Sequence, residues 1–175
     1  MATFSQTLLT PLRWVERGLD AIIQPVVFIG MAALIGVITL QIVSRVLFTA
    51  VGWTEEVARF LLIWITFLAG TLAFQRGHHI AVTFAVDALP ARLRQVARML
   101  AVLAVIAFMI TLVVIGYRYM QVQSFQKSAS LRLPMSYVYA VMPISAAIMA
   151  WYAVVDFLEL VFEGKPEQPM GEQTP

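Results

Sequence analysis

The chain has 175 residues, of which 61% are hydrophobic and only 13% charged, against about 45–50% and 25% in soluble domains, so a water-soluble surface cannot enclose it. Most of that length lies in apolar stretches, which leaves no room for a separate soluble domain of ordinary size. Absence of cysteine removes disulfides and thiol chemistry, and the small positive net charge of +2 sits at the ends of the apolar stretches, which argues against nucleic acid as a partner.

Residues 1–20 form the first element. Leu8, Leu12, Val15, Leu19 and Ile22 recur every three or four positions, with Arg13, Glu16, Arg17 and Asp20 between them. That pattern lays an apolar and a charged face along one helix and predicts an amphipathic N-terminal helix in the headgroup plane, its extent limited by Pro11. The apolar stretch 21–44 follows. It is longer than the roughly 7–15-residue apolar core of a signal peptide and lacks a small-x-small cleavage pattern, so it is read as a retained span.

The second span, 54–75, opens on Trp53-Thr54-Glu55-Glu56. Thr54 is placed to cap the helix, and the two carboxylates stand at the positive end of its dipole. Arg59 lies four residues after Glu55 and three after Glu56, so either acid can reach the guanidinium. One reading makes this an interfacial anchor with Trp53 in the aromatic belt; the other makes it a polar contact with a neighbouring helix or subunit. Trp64 follows within the span, and Arg76, His78 and His79 close it. Adjacent histidines point to different sides of a helix and no other His or Cys exists to complete a ligand set, so no metal, haem or other cofactor is expected.

Ile80, Val82, Phe84 and Val86 then alternate with small or polar residues. A lone strand would have no sheet to join, so a short interfacial helix or an extended linker is preferred. The third span covers 97–118, entered through Arg92, Arg94 and Arg98. The fourth covers 133–157. Pro134 suits its first turn, whereas Pro143 in the interior is expected to bend it, more plausibly to fit a partner than as a transport hinge. Residues 163–175 are rich in Pro and Glu and read as a disordered tail.

Each of the four spans is long enough to cross a bilayer, so the expected fold is all-α and integral to the membrane, with the membrane domain at 21–162. Four spans leave both termini and the middle loop on one side. That side carries Arg13, Arg17, Arg76, Arg92, Arg94, Arg98 and Lys165; the other carries Arg45, Arg59, Arg118, Lys127 and Arg132. The bias predicts cytoplasmic termini. Few ionisable residues lie within the spans, and no nucleophile–base pattern or phosphate loop is present, so enzymatic activity is not expected.

The tract Trp53-Thr54-Glu55-Glu56, followed by Arg59, Trp64, Arg76, His79-Ile80, Leu89-Pro90, Arg92 and Arg94, resembles the small membrane subunit of tripartite ATP-independent periplasmic (TRAP) transporters, the DctQ-like family. Ser130-Leu131-Arg132-Leu133-Pro134, with Tyr137, Tyr139 and Pro143, is similar to that family's entry into its fourth helix. Thr83 stands where the family often has an acid, and the expected glycine after the later proline is absent. The resemblance implies a multi-pass protein of the bacterial inner membrane that acts as a scaffold for a large multi-span subunit, in sodium-driven uptake of an organic acid, usually a carboxylate, delivered transiently by a periplasmic binding protein. Trp53, Glu55, Glu56, Arg59, Trp64, Arg76, His79, Pro134 and Pro143 then become candidate interface or structural residues. The alternatives are a haem- or quinone-binding anchor of a redox complex and an autonomous small tetraspan transporter; a haem absorption band or transport by the isolated chain would distinguish them.

Overall fold

The computed structural model describes residues 2–47, 51–86 and 91–163, and within them the side chains of residue 12 and of 14–47, 51–77, 93–94 and 96–161. Five helices account for nearly all of it: α1 (Ala2–Leu47), α2 (Gly52–Val86), α3 (Ala91–Val122), α4 (Met135–Tyr139) and α5 (Val141–Glu163). Four segments are long and apolar enough to cross a membrane: Trp14–Leu47, Gly52–Gly77, Val96–Phe125 and Met135–Val161. The expected all-α, four-span architecture is what the chain adopts, with helices that overrun the predicted spans.

The N-terminal segment differs from expectation. It forms no separate helix in the headgroup plane but is the first part of α1, a single helix of 46 residues, about 69 Å long at 1.5 Å per residue. Val15 and Ile22 are exposed, whereas Glu16, Leu19, Asp20 and Ile23 turn toward the other helices. Lipid accepts apolar side chains as readily as a protein core does, so the carboxylates, which need polar partners, take the inward face. Along α1 the less exposed positions Glu16, Asp20, Ile23, Val27, Gly30, Leu34, Val37, Gln41 and Ser44 alternate in steps of four and three. That 3.5-residue repeat is the signature of near-parallel helix packing.

Helix α1 packs chiefly on α2 and α3 chiefly on α5, while α2 and α5 join the two pairs; among the described residues the backbones of α1 and α3 do not come close. Buried Ile23, Leu68 and Val141 centre the core, surrounded by Val27, Trp64 and Phe67. Two glycines let backbones approach. A Cβ at Gly30 would stand 3.0 Å from Cγ1 of Ile65, and one at Gly116 would stand 3.2 Å from the Pro143 nitrogen.

The alternating stretch after His79 continues α2 as helix to Val86. The fourth span is divided at Ala140, between α4 and α5. Pro143 lacks an N–H and its ring clashes with the carbonyl four residues back, here that of Tyr139, which locates the break. Pro134 stands just outside α4 as its N-cap, in extended conformation. The tail expected to be disordered lies, from residue 164 on, outside the described residues.

Candidate functional site

Polar side chains gather at the two ends of the bundle. At one end α2 begins at Gly52, two residues before the expected cap. Thr54 is fully buried, and its hydroxyl donates to the Val51 carbonyl at 2.7 Å, so it closes the preceding turn rather than capping α2. The loop between α3 and α4 lies against this helix start: a Cβ at Gly52 would be 3.3 Å from the Ser130 hydroxyl.

That loop is a tight reversal. Ser128 N–H donates to the Leu133 carbonyl and Met135 N–H to that of Gln126, both at 2.9 Å. Arg132 takes the left-handed conformation, with φ of 53°, which is uncommon outside glycine and asparagine and lets the chain double back here. Two backbone N–H groups at the reversal, those of Ser130 and Leu131, are satisfied by Glu56, which accepts them at 2.8 and 3.0 Å, one on each carboxylate oxygen. Successive helical residues point about 100° apart, so Glu55 cannot reach the same groups. Its carboxylate instead pairs with Arg59 Nη2 at 3.0 Å, with both side chains about two-thirds exposed. The two acids that sequence treats as equivalent partners of Arg59 are thus divided between a loop clamp and an outward ion pair.

Nearby, the Tyr119 and Tyr139 rings meet edge to face with centroids 5.0 Å apart. Gln123 Nε2 donates to the Tyr119 hydroxyl at 2.9 Å. Trp53 is exposed at the same end, whereas Trp64 packs against the core.

At the opposite end Tyr152, almost fully buried, donates its hydroxyl proton to Asp20 at 3.0 Å, tying α5 to α1. Beside this bond is a cavity of about 440 Å³ lined by Glu16, Arg17, Gln75, Arg76, Tyr152, Asp156 and Glu159. Arg76 therefore stands far from Glu55, Glu56 and Arg59, at the other end of α2. The His79 side chain lies outside the described residues. Among those described, no group of three or more His, Asp or Glu is arranged to hold a metal ion.

Sequence reading missed the Asp20–Tyr152 tie and the cavity. A carboxylate directly before an apolar stretch, and Asp156 and Glu159 three apart at the end of another, were the available signals. Neither identifies its partner, because the contacts join residues more than a hundred positions apart.

Residues 34–163 match the family described as tripartite ATP-independent periplasmic transporters, DctQ component. The sialic acid TRAP transporter small permease protein SiaQ of Vibrio cholerae is 30% identical over 122 residues, covering 69% of this chain and 70% of that protein. The isethionate TRAP transporter permease protein DctMQ of Oleidesulfovibrio alaskensis is 30% identical over 148 residues, 79% of this chain but only 23% of the relative. The sialic acid TRAP transporter permease protein SiaT of Haemophilus influenzae is 25% identical over 118 residues, 67% of this chain and 19% of the relative. The chain thus spans about a fifth of the length of two of these proteins.

Proposed function

The chain belongs to the DctQ component family of tripartite ATP-independent periplasmic transporters, non-enzymatic parts of a transport system, and from this premise we propose that it is the small scaffold subunit of a sodium-driven organic-acid importer. Its partner is a large multi-span membrane subunit, and the cargo arrives from a periplasmic binding protein. The observation that carries this reading is the length of the relatives: in two of them the matching segment occupies only 23% and 19% of one longer polypeptide. A segment joined to a much larger permease elsewhere is a natural companion of such a permease when separate. The relatives' names mention isethionate and sialic acid, a sulfonate and a carboxylate, which supports an organic acid as cargo.

Burial supports a subunit role. In the most apolar window of α1 no residue is buried within the chain, and in those of α2 and α3 only 17% are. A membrane scaffold that meets another protein needs such uncovered helix faces. The exposed Glu55–Arg59 pair and Trp53 are proposed as contacts to the large subunit, whereas Glu56, Trp64, Pro134 and Pro143 shape the scaffold itself. Arg76 and His79 belong to the end assigned to the cytoplasm, as do both termini.

Affinity purification of this chain co-expressed with a large TRAP permease subunit from the same genome tests the proposal. Recovery of a stoichiometric complex, and cargo uptake in proteoliposomes only when both proteins and the binding protein are present with a sodium gradient, are the expected results. Uptake by this chain alone, or failure of the two membrane proteins to associate, overturns it.

A further inference from the structure

The cavity beside the Asp20–Tyr152 bond holds both signs of charge, with two arginines and three carboxylates in its lining. Its lining comes from three helices, each near one end of its span: Glu16 and Arg17 near the start of the segment Trp14–Leu47, Gln75 and Arg76 at the end of Gly52–Gly77, and Tyr152, Asp156 and Glu159 in the last turns of Met135–Val161. That is the depth at which lipid headgroups lie. Glu16, Asp156 and Glu159 are partly buried, whereas Arg17 and Arg76 are exposed, so the guanidinium groups are the more accessible part of the lining.

We infer that this cavity binds the headgroup of a phospholipid bearing a primary ammonium, phosphatidylethanolamine, with its phosphate at Arg17 and Arg76 and its ammonium among Glu16, Asp156 and Glu159. A primary ammonium offers three N–H donors, and a carboxylate has lone pairs for more than one partner, so the acids can receive it while keeping their contacts to protein. Guanidinium presents a fork of donors matched to phosphate oxygens. The volume of about 440 Å³ equals the liquid volume of roughly fifteen waters, enough for such a headgroup and bridging water. The acyl chains also have a place to lie: Phe28, Met31 and Ile35 are exposed along the side of α1 that carries Arg17. This apolar flank favours a lipid over a free phosphoethanolamine. A quaternary choline headgroup has no N–H to donate, and the uncharged glycerol of phosphatidylglycerol brings no cation to set against the three carboxylates.

Native mass spectrometry of the full chain, with whatever partner copurifies, tests the assignment. Phosphatidylethanolamine, phosphatidylcholine and phosphatidylglycerol of matched acyl chains are titrated separately. One phosphatidylethanolamine should be retained at least tenfold more tightly than either of the others, and the preference should disappear in the Asp156→Asn/Glu159→Gln double variant and weaken in Arg76→Gln. Excess glycerophosphoethanolamine, which has the headgroup without the chains, should compete poorly. Equal retention of the three lipids by the unsubstituted chain overturns the proposal, whether or not the variants fold. Effective competition by the soluble headgroup overturns its lipid part, and loss of the site only when the large subunit is bound assigns the cavity to that protein instead. The lipid titration does not depend on transport, so it fails or succeeds independently of the proposed function.

Discussion

At the scale of single residues, adjacent acids in one sequence motif do different work. Glu56 satisfies two backbone N–H groups that would otherwise lack partners at the reversal before α4. Removal of its carboxylate leaves those donors unpaired and frees the loop from the start of α2. Glu56→Ala is expected to lower the thermal midpoint in detergent and to speed maleimide labelling of a cysteine at Ala129 several-fold. Glu55→Ala removes only an exposed ion pair between residues four apart, of a kind worth about 0.3–0.5 kcal/mol, and should leave both measurements nearly unchanged. Equal effects of the two substitutions would refute the division of roles. Tyr152 makes a comparable tie at the other end. Tyr152→Phe deletes the donor to Asp20 and should destabilise the chain by about 1.5–3 kcal/mol, the usual range for a hydrogen bond to a charged group, as read from its unfolding midpoint.

At the scale of helices, the approach of α3 to α5 rests on one small residue. Gly116 faces Pro143, and any Cβ there would lie 3.2–3.5 Å from three proline atoms, two of them backbone. Gly116→Ala demands a shift of a few tenths of an ångström, and Gly116→Val a larger separation. The valine variant is expected to cost about 1–3 kcal/mol and to reduce cross-linking between cysteines introduced on facing turns of α3 and α5. The number and type of these helices were legible in sequence because each span repeats its apolar signal over some twenty residues. Their ends and faces were not. Hydropathy does not separate a face toward lipid from a face toward protein, so the shared spacing of Val15, Leu19 and Ile22 did not show that Leu19 turns inward while Val15 and Ile22 point out. Likewise, the spacing of Glu55, Glu56 and Arg59 gave the possible pairs, but the choice was made by the N–H groups of Ser130 and Leu131, more than seventy positions away. Pro143 was legible in part: its missing N–H and its ring signal an interruption one turn earlier, and Ala140 is where it falls, although Pro11 and Pro25 leave α1 continuous.

At the scale of the whole molecule, the contacts fix which ends lie together. Gly52 and Glu56 meet the loop before α4, while Asp20 meets Tyr152 and Arg76 shares their cavity. The proposed cytoplasmic side is the latter, so cysteines at Ala129 and Gly77 should react oppositely with an impermeant maleimide. Ala129→Cys is expected to label in intact cells and Gly77→Cys only after permeabilisation; the reverse pattern inverts the topology. Gly77 suits the purpose, since a Cβ there meets nothing within 4 Å. The unbroken length of α1 has a mechanical side. The helix continues for twelve residues before Trp14, about 18 Å of rod, with no break between them and the part that packs on α2. Any change in bilayer thickness that tips the span by about 20° therefore swings the end of the helix sideways by roughly 6 Å, turning a property of the membrane into a displacement of the chain's first residues.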